Sequence, residues 1–174
     1  MRKILYTVAI AVTVLASCKK SKEEVAAMQA KNTDAALAFF KKTKVTGADL
    51  DGLKSRFPSK EKDTVAYYKD RVTDIFNDAG SKSYLRIFYT DSTRKNVTSV
   101  FYFVGERNII AQEYYENGQA RCTFETDPSG ARNGHAYCYD EKGEKKEQTY
   151  YKNDSEVKDS LKSFVKFLPP AENK

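Results

Sequence analysis

A 25-residue internal repeat in the middle of this chain limits the folds that it can adopt. The segments GERNIIAQEYYENG (105–118) and GARNGHAYCYDEKG (130–143) share the pattern G-x-R-N-x-x-A-x-x-Y-x-x-x-G at all of its fixed positions. Average composition would supply about one identity over such a stretch. A further shift back by one repeat places Gly80, Lys82 and Tyr89 at equivalent positions. The sequence therefore predicts three copies of one supersecondary unit, stacked on one another.

Each unit has the composition of a β-hairpin. Residues 80–154 contain short runs rich in Tyr, Phe, Val, Ile and Thr, separated by turn residues such as those at 116–118 and 141–143. Because a single hairpin is marginally stable in water, three of them are expected to pair into one antiparallel meander. The predicted strands are 84–90, 97–104, 109–115, 120–125, 135–139 and 145–151.

Apolar stripes of helical spacing predict helices on both sides of the hairpins. In the region 33–79 we predict helices over 33–44, 49–57 and 59–79, and in the region 155–174 a helix that ends before two prolines. The stripes contain Leu37, Phe39 and Phe40, then Val65, Tyr68, Val72, Ile75 and Phe76, and finally Val157, Leu161, Phe164 and Leu168. The predicted fold class is α+β: an antiparallel β-meander of about six strands (three 25-residue hairpin repeats) flanked by N-terminal helices and one C-terminal helix.

The N-terminal residues have the features of an export signal. A basic start (1–3) precedes an apolar run (4–15) that is too short to span a bilayer, and the run ends in Leu15-Ala16-Ser17-Cys18. This ending resembles the lipobox of bacterial lipoproteins. The resemblance implies that residues 1–17 are removed and that Cys18 receives fatty acyl chains such as palmitate, which together anchor the protein to the membrane. The alternative is an ordinary signal peptide with an accidental cysteine.

Residues 18–32 are polar and rich in alanine, and they are predicted to form a tether between the lipid anchor and the domain. Lys19 stands where an Asp would favour retention at the inner membrane, so the outer membrane is the predicted location. The triplet 22–24 resembles a tag for export to the cell surface, which leaves periplasmic and surface exposure both open. Loss of residues 1–17 lowers the formal charge from +6 to +4, and so mild an excess does not indicate a nucleic-acid partner.

The segments YYENGQ and GHAYCYDEKGEKKEQTYYKND resemble the variant MORN repeat, a hairpin repeat with the pattern G-x-W/A-x-x-Y-x-x-x-G. The resemblance covers 105–154. Ala111 and Ala136 stand where Trp is usual, and Asp154 stands where Gly is commoner. In bacteria such repeats occur in antitoxin-like proteins and in exported lipoproteins, so the resemblance implies a scaffold for binding.

Catalytic and metal-binding patterns are not found in the sequence. His135 is the single histidine, and no cysteine or carboxylate pair stands around it at the spacing of metal ligands. Cys138 lies three residues further along an extended strand, so its side chain would point to the opposite face from His135. We predict no catalytic residue, no metal and no cofactor. An enzyme acting on an envelope polymer is the less favoured alternative, and it would require two carboxylates about 5 to 9 Å apart in a cleft.

Cys122 and Cys138 are predicted to form a disulfide. They fall on consecutive strands, and the midpoint between them is position 130 in the connecting turn, so the two residues should face each other. Disulfides are permitted in the compartment that an export signal implies.

Recurrent aromatic and basic residues suggest a binding face. Tyr114, Tyr137 and Tyr139, with Arg107 and Arg132 near them, are predicted to form an exposed patch, because the helices should cover the more apolar end of the sheet. The alternative is that these tyrosines pack in the core. The predicted function is a non-catalytic module at the outer membrane that binds a protein or glycan, and the alternative is an immunity protein that neutralises a secreted toxin.

Overall fold

The computed structural model describes residues 20–62, 72–126 and 131–157, without the side chain of Lys62. They form two helices and a single antiparallel sheet of nine strands, in which every strand pairs with the next one along the chain. The helices are α1 (Lys22–Phe40) and α2 (Gly47–Lys54). The strands are β1 (Ser59–Lys62), β2 (Val72–Asp78), β3 (Ser83–Tyr89), β4 (Val97–Val104), β5 (Arg107–Tyr114), β6 (Ala120–Thr126), β7 (Arg132–Tyr139), β8 (Lys145–Lys152) and β9 (Ser155–Glu156).

The fold class is mainly β, and the prediction of an α+β fold with six strands is wrong. The largest difference is the helix predicted over 59–79, which is replaced by β1 and β2 at the two ends of that range. Val72, Ile75 and Phe76 have helical spacing, but they are also β-branched or aromatic residues that suit a strand. Pairing with β3 along the whole length of β2 decided between the two structures, and a local pattern cannot include such pairing.

Helix α1 begins eleven residues before the predicted start, so most of the predicted tether is helical. Ser21 caps it in a capping box, in which the Ser21 side chain accepts from the Glu24 amide and Glu24 accepts from the Ser21 amide. Asn32, at the end of the predicted tether, is buried, and its Nδ2 donates to Asp78 Oδ2 at 2.9 Å and to Ser81 Oγ at 3.0 Å. The helix is therefore fixed to the β2–β3 turn.

The C-terminal helix predicted for residues 155–174 does not begin at residue 155. Residues 155 and 156 form β9, which pairs with the end of β8. The rest of the predicted stripe, at Leu161, Phe164 and Leu168, lies outside the described residues, as does Cys18. No helix in the described part of the chain is long and apolar enough to cross a membrane.

The backbone follows the 25-residue period. The strand register shifts between Phe88 and Tyr89, between Glu113 and Tyr114, and between Cys138 and Tyr139. The tight turns recur too: the amide of Tyr115 donates to Gln119 O at 2.9 Å, and one repeat later the amide of Asp140 donates to Glu144 O at the same distance. Each of these three bulges stands just before a repeated tyrosine, and it bends the sheet at the same place in each hairpin. Two other register shifts, between Tyr102 and Phe103 and between Phe124 and Thr126, lie where one hairpin pairs with the next.

Both helices pack on one face of the sheet, called the helix face below. The main core joins side chains of the helical region, such as Phe39, Phe40 and Leu53, to sheet residues such as Ile87 and Tyr102. A second cluster lies on the opposite face, because successive residues of a strand point to opposite sides. It contains Ala111, Phe124 and Ala136, with Phe101, Cys122 and Tyr151 packed against it.

Candidate functional site

A cleft of about 390 Å³ opens on the helix face, between α2, the β3–β4 loop and the β5–β6 turn. Its volume is at the small end of the range for small-molecule sites, which is about 300 to 1,000 Å³. The floor is apolar and the rim is polar. Side chains on the floor and walls include Phe39, Leu50, Val97, Val100 and Tyr114, and the rim includes Asp51, Lys54, Arg94, Lys95, Asn96, Glu116 and Asn117.

The β3–β4 loop forms one wall of the cleft, and it is longer than the equivalent turns of the other two hairpins. The amide of Thr90 donates to the carbonyl of Asn96, whereas in the next hairpin the equivalent bond joins Tyr115 to Gln119. The loop therefore contains two additional residues between its hydrogen-bonded ends. The hairpin that departs from the repeat in this way is the one that builds the cleft wall.

The carboxylate of Asp74 holds this loop in place. It is 1 % exposed, and it accepts from Arg94 Nε at 2.7 Å and from Arg94 Nη2 at 3.0 Å, with Lys60 Nζ at 2.9 Å. Burial raises the pKa of Asp74, but the hydrogen bonds from Arg94 and Lys60 outweigh burial and hold that pKa below its usual value. The backbone of Arg94 has a φ of +57°, which is a strained conformation for any residue other than glycine. The two hydrogen bonds to Asp74 hold Arg94 in this conformation.

Helix α2 forms the opposite wall, and its start is attached to the β5–β6 turn. The amide of Val45 donates to Gly118 O at 3.0 Å, and Thr46 and Asp49 form a capping box at the first turn of the helix. Gly118 has a φ of +79°, and a Cβ there would lie 2.7 Å from Val45 O. Glycine is therefore required both by the turn and by the close approach of the two chain segments.

Tyr114 is the predicted site residue that does line the cleft. It is partly buried, and its hydroxyl donates to Gln112 Oε1 at 2.8 Å. Burial raises the pKa of Tyr114 well above its usual value. Gln112 is in turn held by its Nε2, which donates to Thr123 Oγ1 at 2.7 Å and to Lys42 O at 3.2 Å. The ring therefore forms a fixed wall, and its hydroxyl is already used inside the protein.

The other predicted site residues do not form the exposed patch that the sequence suggested. Tyr137 is 6 % exposed and belongs to the main core, and Tyr139 packs partly buried against the same core. The side chain of Arg132 lies on the face opposite the helices, where its guanidinium carbon is 4.2 Å from the ring centroid of Tyr151 in the second cluster. Arg107 is exposed at the start of β5. The prediction fails because the apolar helix face extends across the sheet as far as β7 and buries these rings.

Cys122 and Cys138 form a disulfide, with their Cα atoms 4.1 Å apart. They are direct cross-strand partners in the pairing of β6 with β7. Their sulfurs lie on the face opposite the helices, where Cys122 packs against the second cluster. The bond therefore joins the second and third hairpins on the side away from the cleft.

Buried ionisable groups lie elsewhere in the sheet. His135 is 4 % exposed, and its ring meets Tyr150 edge to face at 5.2 Å. Glu125 is 7 % exposed, and a Cβ on Gly134 would lie 1.9 Å from its Oε2, so glycine makes room for the carboxyl. Burial raises the pKa of Glu125 to about 7. Neither residue lines the cleft. Within 20–62, 72–126 and 131–157, no three His, Cys, Asp or Glu side chains are grouped as metal ligands.

Reasoning from sequence missed the cleft because its walls come from segments that are far apart along the chain. Lys54 and Lys95 belong to no motif, and Glu116 stands at a position of the repeat that the pattern leaves open, so all three resemble ordinary surface charges. The sequence feature that could have indicated the cleft is the first hairpin, in which the repeat is least regular and the turn is longest.

No protein-family model and no curated protein matches this sequence. A solved structure described as "Crystal structure of GtfA/B complex" is similar with a TM-score of 0.43 and 11 % identity. The match covers 62 % of this chain and 21 % of the other, so this chain spans about a fifth of that protein's length. A likeness of this degree says nothing about activity.

Proposed function

We propose that this protein is a non-catalytic binding module for an envelope or extracellular partner, and that the cleft on the helix face is its binding site. The observation that carries the proposal is the position of the irregular hairpin. The two later hairpins keep the tight turn, and the first has a longer loop that builds one wall of the cleft. Loops positioned by a rigid scaffold are common places for binding sites.

The cleft is already formed, which supports a binding role. The Asp74–Arg94 contact fixes the loop, and the bond between Val45 and Gly118 fixes the helix that faces it. A ligand therefore would not need to order either wall, and preorganisation of this kind favours affinity. The apolar floor would be covered on binding, and the polar rim would set orientation.

The carboxylates of the cleft support the non-catalytic part of the proposal. Asp51 and Glu116 are exposed on the rim, and Lys54 Nζ lies 3.3 Å from Asp51 Oδ1. A catalytic carboxyl normally needs an environment that changes its acidity, and such environments are typically buried. The most buried carboxyl with a raised pKa, Glu125, is not among the residues that line the cleft.

We further propose that the protein acts at the outer membrane, where acyl chains on Cys18 would anchor it. The lipobox sequence at 15–18 is the support for this address. The hairpins would serve as a MORN-like scaffold, and the recurrence of bulges and turns at the repeat interval is consistent with such a repeat. On this proposal, the partner is a protein or a glycan of the envelope.

Affinity capture from the native envelope tests the cleft as the binding site. The lipidated protein is compared with two variants, Glu116→Trp and Glu141→Trp, and the captured material is analysed by mass spectrometry. The two glutamates occupy equivalent turns one repeat apart, and both are exposed. Glu116 lines the cleft and Glu141 does not, so the pair is a matched control.

We expect the Glu116 variant to lose the captured partner, because the indole would fill part of the cleft, and the Glu141 variant to retain it. If both variants capture the same material as the parent, the cleft is not the binding site. If neither retains the partner while both keep the parent's thermal midpoint, binding involves the turns themselves, and the proposal for the cleft is also wrong.

A further inference from the structure

The rim of the cleft carries opposite charges at its two ends. Lys54 stands at the last turn of α2, near β2, with its Nζ 5.5 Å from the ring centroid of Phe76. Lys95 stands at the same end, since it follows Arg94 on the β3–β4 loop and Arg94 contacts Asp74 of β2. Glu116 stands at the other end, in the β5–β6 turn beside the start of α2. The end with Lys54, Lys95 and Arg94 is called the cationic pole, although the exposed carboxylate of Asp51 lies beside Lys54 there, and the end with Glu116 is called the anionic pole. The apolar floor lies between them.

Lys95 and Glu116 are available to a ligand. Both are exposed, and within the described residues neither makes a hydrogen bond or an ion pair with the protein, although the charge of Lys95 helps to lower the pKa of the exposed carboxyl of Asp91. Arg94 also belongs to the cationic pole, but its guanidinium is already bound by Asp74. Lys54 is partly engaged by Asp51, at 3.3 Å, in an exposed contact of little energy. The residues at the two poles that remain for a ligand are therefore Lys95, with help from Lys54, and Glu116.

We infer that the cleft binds a short peptide with free termini, or an amino-acid-like zwitterion. The ligand carboxylate would lie at Lys95 and Lys54, its ammonium at Glu116, and an apolar side chain on the floor around Val100 and Tyr114. This inference rests on the proposed function, because it names the ligand class for the same site. A neutral sugar would satisfy the apolar floor but would make no use of the two opposite charges.

Titration of the lipidated protein in detergent with three probes tests the inference. The probes are the dipeptide Leu-Phe, its C-terminal amide and its N-acetyl form, each followed by calorimetry and by the NMR signals of Val100 and Tyr114. We expect Leu-Phe to bind best, and each blocked form to bind about two- to fivefold more weakly, which is the range for one exposed ion pair. High salt should reduce these differences.

Three variants assign the poles. Lys95→Gln should reduce the difference between Leu-Phe and its amide to what Lys54 alone supplies, and Glu116→Gln should remove the difference between Leu-Phe and its N-acetyl form. Glu141→Gln is the control at the equivalent position of the next repeat, and it should change neither. All three side chains are exposed, so the fold should not be affected.

The inference is overturned if the three probes bind with the same Kd, or if Leu-Phe fails to shift the cleft signals up to its solubility limit. It is also overturned if N-acetylglucosamine binds in the cleft equally well in the parent and in the Lys95 and Glu116 variants. In each of these cases the loss of captured partner in Glu116→Trp would still support the cleft as a binding site. Failure of the proposed function itself would instead appear as unchanged capture by that variant.

Discussion

Asp74 and Arg94 join the sheet to the wall of the cleft: the carboxylate of the third residue of β2 accepts two hydrogen bonds from one guanidinium on the β3–β4 loop. The carboxylate is 1 % exposed and the arginine side chain is 35 % exposed. One contact therefore determines both the stability of the β2 region and the shape of the candidate site.

Asp74→Asn should lower the free energy of unfolding by about 1.5 to 3 kcal/mol, because the hydrogen bonds that it weakens involve charged groups and one partner is buried. Urea unfolding of the parent and the variant measures the change. Lys60→Gln is the control. Lys60 also contacts Asp74 but is half exposed, so its loss should cost less than about 1 kcal/mol. Equal losses in the two variants would contradict the role assigned to Arg94.

Glu125 should make the protein less stable as the pH rises. Its pKa is raised from 4.5 to about 7 in the folded protein, so between these values the folded state binds more protons than the unfolded state. Stability should therefore be highest below this window and should fall as the pH passes through it. Glu125→Gln should remove this dependence and should stabilise the protein at pH 8 by roughly 1 to 2 kcal/mol, allowing for partial solvent screening. Thermal midpoints of the parent and the variant at pH 5, 6, 7 and 8 measure this pH dependence. Parallel profiles for the two proteins would show that Glu125 is not its source.

The disulfide between Cys122 and Cys138 should stabilise the joint between the second and third hairpins. In the chain-entropy model, closing a loop with a sequence separation of 16 contributes about 3 kcal/mol. The double variant Cys122→Ser with Cys138→Ser should therefore unfold at lower urea concentration than the parent. A reducing agent should lower the midpoint of the parent and leave that of the double variant unchanged. Equal sensitivity of the two proteins to reduction would contradict the prediction.

Tyr137 is a core residue in the structure, so its truncation should be costly. Tyr137→Ala should lower the free energy of unfolding by about 3 to 5 kcal/mol, because a large buried ring is replaced by a cavity. Tyr137→Phe keeps the ring and should cost less than about 1.5 kcal/mol. Denaturant titrations of both variants distinguish this role from the exposed binding role suggested by the sequence, for which both changes would be almost neutral.

Cys18 should be the first residue of the mature protein. Cys18→Ala should prevent acylation, so that the protein is found uncleaved or in the soluble fraction. Membrane fractionation and intact mass measurement test this. Parent protein without an acyl mass, together with an alanine variant that fractionates in the same way, would show that the lipobox resemblance is accidental.

The local units of this protein can be predicted from its sequence. The 25-residue pattern and the turn residues located the six strands from β3 to β8 within a few positions, because alternation and turn chemistry act over neighbouring residues. The position of the disulfide partners followed from the same hairpin geometry. The Asp49–Thr46 cap at α2 and the break before it are local features as well.

The other features depend on long-range contacts. Val72, Ile75 and Phe76 suit either a helix or a strand, and the pairing of β2 between β1 and β3 made them a strand. The cleft could not be located from the sequence, since Lys54, Lys95 and Glu116 are brought together only when α2 packs on the sheet. Whether Tyr137 is exposed or buried depends on which face the helices cover. Each of these outcomes depends on contacts between residues far apart along the chain, and the free energy of such contacts is absent from any local window of sequence.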